Sequence, residues 1–208
     1  MNKFIQLIIS LLLLAGCNSP TPSNIASGDI DSSLAPIQDS YASAETFTLT
    51  KKEGSFTVKP VAAYQISAMV VGKEPYSSGW QGAVAPVDLA LAWGKLGEPE
   101  SFKYVSYSQR DRWYFYEYKD DSPFDNSYII EHSANNHIIP ASENILKAVR
   151  SIRKKQKIML EGFLVNIAGT YEGGNVWWNS SLSRKDTDNS SCEVFYVKKV
   201  TVDNKVYE

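Results

Sequence analysis

The stretch VAAYQISAMVV, residues 61–71, decides the fold class. Small, β-branched and other apolar residues occupy both alternating positions along most of its length. This pattern is typical of a strand that is buried on both faces. Gly72 and Pro75 follow and end the apolar run. We therefore predict a central strand over residues 61–71 and a fold built around it.

A β-hairpin is predicted immediately before this strand. Residues 46–50 and 55–59 alternate between polar and apolar side chains, and residues 51–54 form a polar turn between them. Alternation of this kind indicates strands with one buried face.

The remaining elements are predicted from shorter patterns. Residues 76–82 are rich in Gly and Ser and predict a loop. Residues 86–93 predict a short helix, because Pro86 suits a first helical turn and Asp88 complements its positive end. The later patterns predict strands in 102–119 with a polar break at 109–112, a helix over 142–152 capped by Ser142, and strands over 157–167, 176–182 and 192–202. Gly162 lies inside the strand predicted over residues 157–167 and predicts a bulge or corner there.

This order of elements predicts an α+β fold dominated by an antiparallel sheet, in one globular β-rich domain over residues 45–208. A helix that leads into a glycine-interrupted strand and two further strands resembles the OB fold, a small closed barrel with one or two short helices. The resemblance covers residues 142–202 and implies oligonucleotide or oligosaccharide binding as the usual use of such a barrel.

The first 17 residues have the pattern of an export signal. Lys3 precedes an eleven-residue, mostly apolar run over 4–14, which is shorter than the roughly 20 residues that span a bilayer. The run closes with LAGC, residues 14–17, which resembles the lipobox of bacterial lipoproteins. The resemblance implies a signal peptide over residues 1–16 and a Cys17 that is acylated and becomes the mature N-terminus.

The same resemblance implies a location. Asn18 follows the cysteine, where an Asp would retain an enterobacterial lipoprotein at the inner membrane, so the outer membrane facing the periplasm is expected. Residues 17–44 are poor in aromatic residues and rich in Ser, Pro and Ala, which predicts a lipidated, disordered tether. A coil of that length spans about 25–30 Å, enough to hold a domain clear of the lipid headgroups.

The net charge and the cysteine content of the chain limit the kinds of partner and of disulfide that we expect. The chain has a net charge of −2, so nucleic acid is an unlikely partner, because binders of nucleic acid usually carry a basic excess. Cys192 would have no intramolecular disulfide partner if Cys17 is acylated. Its place in CEVFYV, residues 192–197, predicts a buried residue of a core strand, and a reactive thiol is the alternative.

One short motif suggests catalysis. NHIIP, residues 136–140, resembles the Asp-His-Ile-x-Pro element of HNH nucleases, which implies His137 as a general base beside a metal. Here the first residue is Asn136 instead of Asp, and no zinc-binding cysteine pairs accompany it. The alternative is a strand end with a turn at Asn135 and Asn136. A site built from His132 and His137 would lack the three or four ligands of zinc centres, so neither a metal nor another cofactor is expected.

Eight of the 17 residues from 102 to 118 are aromatic, and arginines lie among them. Exposed rings beside arginines suit stacking on sugars or a protein hot spot. The alternative is a sheet buried on both faces. The candidate ligand-binding residues are Trp80, Arg110, Arg112, Trp113 and Tyr116, and we expect at least one of Trp80, Trp113 and Tyr116 to be substantially exposed.

Two weaker motifs have simple explanations. The basic run over residues 150–157 suits a solvated helix end, with anionic lipid as the functional alternative. Asp186 and Asp188 resemble the start of a calcium loop but lack its later ligands, which favours a polar hairpin loop. The sequence therefore predicts an envelope lipoprotein that binds a protein or glycan partner without catalysis. The alternative is a metal-dependent hydrolase or nuclease that uses His137.

Overall fold

The computed structural model describes residues 19–40, 45–183 and 192–208. Strands dominate this part of the chain, and their bounds are β1 (Asn24–Ile25), β2 (Ile37–Ser40), β3 (Phe47–Lys51), β4 (Gly54–Pro75), β5 (Val87–Ala92), β6 (Val105–Arg110), β7 (Trp113–Tyr118), β8 (Ser133–Pro140), β9 (Lys157–Tyr171), β10 (Gly174–Asn179), β11 (Glu193–Val202) and β12 (Lys205–Tyr207). The α-helices are α1 (Gly79–Val84), α2 (Asn126–Glu131) and α3 (Glu143–Ser151), with short 3-10 helices at Gly94–Gly97 and Pro99–Lys103. The predicted sheet-dominated α+β class is confirmed.

Five strands pair in a closed ring. β4 pairs with β5, β5 with β8, β8 with β11, β11 with β9, and β9 with β4. All these pairs are antiparallel except β8–β11, which is parallel. The largest apolar core contains inward-facing residues from all five strands and the buried face of α3. The predicted OB-like resemblance covered only residues 142–202, whereas β4, β5 and β8 of the ring precede that range.

The predicted central strand is confirmed and is longer than expected. β4 contains residues 61–71 and pairs with β9 along one edge from Gly54 to Met69. Its other edge is shared in turn by β3, β2 and β5. Strands on both edges and side chains packed on both faces explain why residues 68–71 are all buried.

The two predictions with the clearest local periodicity are confirmed. β3 and β4 form the hairpin, with Phe47 opposite Val58 and Lys51 opposite Gly54. The side chain of Ser142 caps α3 by accepting a hydrogen bond from the Ile145 backbone N–H at 3.1 Å.

The predicted helix over residues 86–93 is wrong, because residues 87–92 form β5. All six β5 residues are buried. Val87, Leu89 and Leu91 face the ring core, and the alternate residues are covered from the other side. A strand covered on both faces is apolar at nearly every position, so its sequence shows no period that separates it from a buried helix. Residues 79–84 form α1, which overlaps the loop predicted over residues 76–82.

The predicted tether differs from the structure over residues 19–40, which lie against the domain. β1 pairs with β12, and β2 pairs with β4. Between them the buried Ser32 donates a hydrogen bond from Oγ to the Gly97 carbonyl at 2.8 Å. The segment has few apolar side chains, but its backbone groups satisfy strand edges that would otherwise be open. The predicted signal peptide, Cys17 and the pair Asp186 and Asp188 lie outside the described residues.

The irregularity predicted from Gly162 lies between β9 and β11. The register of this pair shifts between Val197 and Lys199, opposite Gly162 and Glu161. A Cβ atom on Gly162 would lie 2.0 Å from the Tyr196 carbonyl oxygen, so the two backbones approach here as only glycine allows.

Two further observations concern the membrane and the thiol. No helix within the described ranges combines the length and the apolar character needed to cross a bilayer. Cys192 is half-buried and lies one residue before β11, so it is not the buried strand residue that the sequence predicts.

Candidate functional site

A buried polar cluster lies on the outer face of β5 and β8. Asp88 on β5 is in register with His137 on β8, and their side chains are 0% and 3% exposed. Arg112 Nη1 donates to Asp88 Oδ1 at 2.7 Å, and His137 Nδ1 lies 3.0 Å from the same oxygen. His137 makes no well-aligned hydrogen bond there, so its contact with Asp88 is mainly electrostatic.

The turn between β6 and β7 positions Arg112. Asp111 and Arg112 have φ values of 51° and 71°, the left-handed pair of a type I′ turn. The Arg112 N–H donates to Tyr76 Oη at 2.9 Å, and Asn135 Nδ2 donates to the Arg112 carbonyl at 2.9 Å. These contacts hold a non-glycine residue in a conformation that L-residues rarely adopt.

The guanidinium of Arg112 is equally constrained. Nη1 also donates to the Ala85 carbonyl at 2.9 Å, and the group lies 3.7 Å from the centre of the Tyr76 ring. Burial raises the pKa of Tyr76, so its hydroxyl stays neutral well into the alkaline range. The sequence predicts Arg112 as a ligand-binding residue, but its side chain is occupied by contacts within the protein.

One tryptophan covers this cluster, and a second packs against the first. The Trp178 ring on β10 lies 4.4 Å from the His137 ring and 5.8 Å from the Arg112 guanidinium. Trp80 in α1 meets Trp178 edge-on at 5.6 Å and stacks near Phe56 at 6.1 Å. These rings keep water from the Asp88–Arg112 pair and so strengthen the attraction between the two charges.

The chemistry open to His137 is limited by these contacts. The predicted turn at Asn135 and Asn136 is wrong, because both residues are buried within β8. His132 stacks on Tyr128 at 3.9 Å, just before β8. His137 is five positions further along the extended chain, about 16 Å away. Across residues 19–40, 45–183 and 192–208, no three His, Cys, Asp or Glu residues are arranged to hold a metal ion.

The β6–β7 hairpin presents a second group of predicted residues. Strand alternation places Trp113 and Phe115 on the face opposite Tyr114 and Tyr116, which pack against a core cluster. The exposed Arg110 guanidinium lies 4.8 Å from the centre of the Phe115 ring. We call Arg110, Trp113 and Phe115 the hairpin face.

Exposure of the rings differs from the prediction. Trp80, Trp113 and Tyr116 are all half-buried, so none is substantially exposed. The large exposed rings in the described ranges are Trp177 at 72%, Tyr118 at 45% and Phe115 at 41%. Trp177 and Trp178 are consecutive on one strand and therefore point to opposite faces. The sequence shows this alternation but does not show which of the two is covered.

Comparison with known proteins gives no match: no family model fits the chain, and neither the curated proteins nor the solved structures contain a similar one. The site is therefore interpreted from its geometry. That geometry joins the predicted residues Trp80, Arg112 and His137 to Asp88 and Trp178. It places Arg110 and Trp113 on the hairpin face and Tyr116 on the opposite side.

A groove of about 610 Å³ lies elsewhere, across β4, β9 and β11. Three of its five charged side chains contact groups in the groove itself. Lys199 Nζ is 2.8 Å from Glu161 Oε1, and Lys198 Nζ lies 5.7 Å from the centre of the Phe163 ring. These contacts leave less free charge for a ligand than the size of the groove suggests.

Two tyrosines on the inner side of the hairpin give a test of its packing. Tyr114 Oη donates to the Ser133 carbonyl at 3.3 Å, whereas the buried Tyr107 Oη has no partner within the described residues. We expect Tyr107→Phe to raise the free energy of unfolding by about 1 kcal/mol, because it removes an unsatisfied buried hydroxyl. Tyr114→Phe should lower it by about 1 kcal/mol. Urea denaturation of both variants measures the difference, and equal effects would contradict this packing.

The same tyrosines affect alkaline stability. Burial raises the pKa of both hydroxyls above the usual value of about 10. Unfolded chains then ionise first, so stability is fully present below pH 10 and decreases as the pH rises above it. Between pH 10 and 11.5, the double variant Tyr107→Phe, Tyr114→Phe should lose less of its free energy of unfolding than the parent chain does.

Proposed function

We propose that the protein is a lipid-anchored component of the bacterial cell envelope that binds a protein or glycan partner without catalysing a reaction. The anchor is an acylated Cys17, and the expected site is the outer membrane, facing the periplasm. The proposal of an anchor rests on the lipobox-like residues 14–17. The proposal of binding rests on Trp177, whose side chain remains 72% exposed on a well-formed strand.

Trp177 is well placed to act as a binding residue. Its neighbours Val176 and Trp178 pack into an apolar cluster, so the strand beneath the ring is fixed. Within the described residues, β10 pairs only with β9, which leaves its other edge open. A rigid, exposed tryptophan loses little conformational entropy when it stacks on a sugar or enters a protein pocket.

The hairpin face supports the same proposal. Arg110 and Phe115 form an exposed cation–ring pair, and arginine and aromatic residues are enriched where proteins bind partners. The β6–β7 turn meets β10 through the 5.8 Å contact between Arg112 and Trp178. The polar cluster therefore contacts both elements that carry exposed aromatic residues: β10 with Trp177, and the β6–β7 hairpin with the hairpin face.

Crosslinking in intact cells, followed by identification of the adducts, tests the proposal. We expect Trp177→Ala to reduce the principal adduct, or retention on isolated peptidoglycan, by about tenfold, because an exposed hot-spot residue contributes more than 1.4 kcal/mol to binding. Its thermal stability should stay close to that of the parent chain. Leu34→Ala, which removes another exposed apolar side chain, is the control and should leave both readouts unchanged. Equal adduct yields in parent and Trp177→Ala would overturn the role of Trp177.

The contact between His137 and Asp88 keeps a hydrolase as the second candidate, since a carboxylate beside a histidine orients the ring in many acid–base sites. The purified protein can be incubated with Mg²⁺, Mn²⁺ or Zn²⁺ and with DNA, RNA or phosphodiesters. Cleavage that His137→Ala abolishes would replace the binding proposal. A lower melting temperature without any cleavage would make His137 structural.

A further inference from the structure

We infer that one face of the domain rests directly on an anionic lipid surface. This anchor face is defined by Ser19, Pro20, Ser151, Arg153, Asp203 and Lys205, which line a groove of about 230 Å³. The inference rests on the proposed acylation of Cys17. It identifies the surface that the anchor brings to the bilayer.

The chain docks onto the folded domain immediately after the proposed anchor. The Thr21 N–H donates to Asn144 Oδ1 at 2.8 Å, and Asn144 Nδ2 donates back to the Thr21 carbonyl at 2.9 Å. The Ser23 N–H then donates to the Val206 carbonyl at 2.7 Å, where β1 begins to pair with β12. From Ser19 onward the N-terminal segment is therefore part of the folded body.

The folded body also begins close to the proposed anchor. Ser19 is two positions after Cys17, so their Cα atoms are no more than about 7 Å apart. The headgroup layer on each side of a bilayer is roughly 5–8 Å thick, and acyl chains on Cys17 would hold its backbone at that layer. The anchor face then touches the headgroups. The coil predicted from composition would have allowed a separation of about 25–30 Å.

The anchor face and its surroundings also carry a local excess of basic residues. The exposed basic residues on and beside this face are Arg150, Arg153, Lys154, Lys155 and Lys205. The acidic residue that lines the groove is Asp203, and its carboxylate lies 3.7 Å from Arg153. The exposed Glu208 lies beside the face, where Asn144 Nδ2 donates to its carbonyl, so basic residues still outnumber acidic ones here. The whole chain is negative, so this excess is local. Anionic headgroups attract such a cluster.

This orientation places the proposed binding surface away from the bilayer. β9 begins at Lys157, next to the anchor face, and Trp177 pairs with Ala168, eleven residues further along that strand. At about 3.3 Å per residue, Trp177 lies up to roughly 35 Å from the anchor face. A partner in the periplasm therefore reaches Trp177 without contact with the lipid.

The test uses the full-length lipidated protein in vesicles of phosphatidylethanolamine and phosphatidylglycerol. Cys192→Ser removes the native thiol, and a fluorophore is attached at Ser151→Cys or at Asn175→Cys, both exposed positions. Headgroup-labelled quencher lipids should quench the fluorophore at position 151 at least threefold more than the one at position 175. Equal quenching at the two positions would overturn the inference.

A charge variant separates electrostatic contact from tethering alone. Arg153→Gln, Lys154→Gln and Lys155→Gln together should reduce quenching at position 151 at least twofold, because each basic residue near an anionic surface strengthens association about fivefold. The matched control replaces Lys51, Lys52 and Lys59 by Gln at the other end of β4 and should change nothing. A charge variant that behaves like this control would overturn the electrostatic part of the inference.

Mass spectrometry of the same sample reports acylation independently. Absence of acyl chains on Cys17 would overturn the proposed function and this inference with it. Acylated protein with equal quenching at positions 151 and 175 would overturn this inference alone.

Discussion

Replacement of Arg112 by leucine should lower the free energy of unfolding by about 3–5 kcal/mol, the usual cost of leaving one partner of a buried ion pair without the other. Asp88 is fully buried, and within the described residues the Arg112 guanidinium is the arginine or lysine group that pairs with it. Leucine is apolar and cannot compensate the carboxylate. Urea denaturation with an unchanged m-value measures the loss.

Three further variants make this prediction specific. Arg110→Leu, two residues earlier and exposed, should change stability by no more than about 0.5 kcal/mol. Asp88→Asn should cost less than Arg112→Leu, because the charge it leaves unpaired is 13% exposed and lies over the Tyr76 ring. The double variant Asp88→Leu, Arg112→Leu should be more stable than Arg112→Leu alone. A double variant that is less stable than Arg112→Leu alone would contradict this coupling of the two residues.

Replacement of Gly162 by alanine is the second change with a large expected effect. The new Cβ would lie 2.0 Å from the Tyr196 carbonyl oxygen, and this atom belongs to backbone that is paired on both sides. This clash is relieved only if β11 moves away from β9. We expect a loss of roughly 3 kcal/mol or more, at the upper end of overpacking effects. Thermal denaturation followed by circular dichroism checks it.

Gly174→Ala provides the control. The nearest atom to a Cβ at that position is the Tyr171 carbonyl oxygen at 3.6 Å, an ordinary contact. Its melting temperature should stay within a few degrees of the parent value. If Gly162→Ala is equally mild, the close approach of β9 and β11 at the bulge is wrong.

Much of the fold could be predicted where the signal is local. The β3–β4 hairpin and α3 have clear periods of 2 and 3.6 residues, and Ser142 marks the start of α3. β5 was missed because burial on both faces removes any period from its sequence. Residues 19–40 were missed for another reason. They dock through backbone pairing with β12 and β4, and such pairing leaves little trace in composition.

The candidate site was only partly predictable for the same reasons. Arg112 stands out as an arginine among aromatic residues, but its partner Asp88 is 24 positions earlier in the chain. In the sequence Asp88 resembles a helix-start residue. Only the sheet shows that it lies under the β6–β7 turn. Two consecutive tryptophans on a strand likewise point to opposite faces, and only the packing of β10 shows that Trp177 is the exposed one.

The pairing of β11 with both β8 and β9 has a consequence for how the chain folds. β11 spans Glu193–Val202 and is the last of the five ring strands along the chain, so it is the strand that closes the ring. The ring therefore cannot form until β11 has been synthesised. Folds dominated by such distant pairings form in milliseconds to seconds, roughly a thousandfold more slowly than helical bundles. Until then the edges of β8 and β9 are open to other chains, so aggregation during folding is the main hazard for this protein.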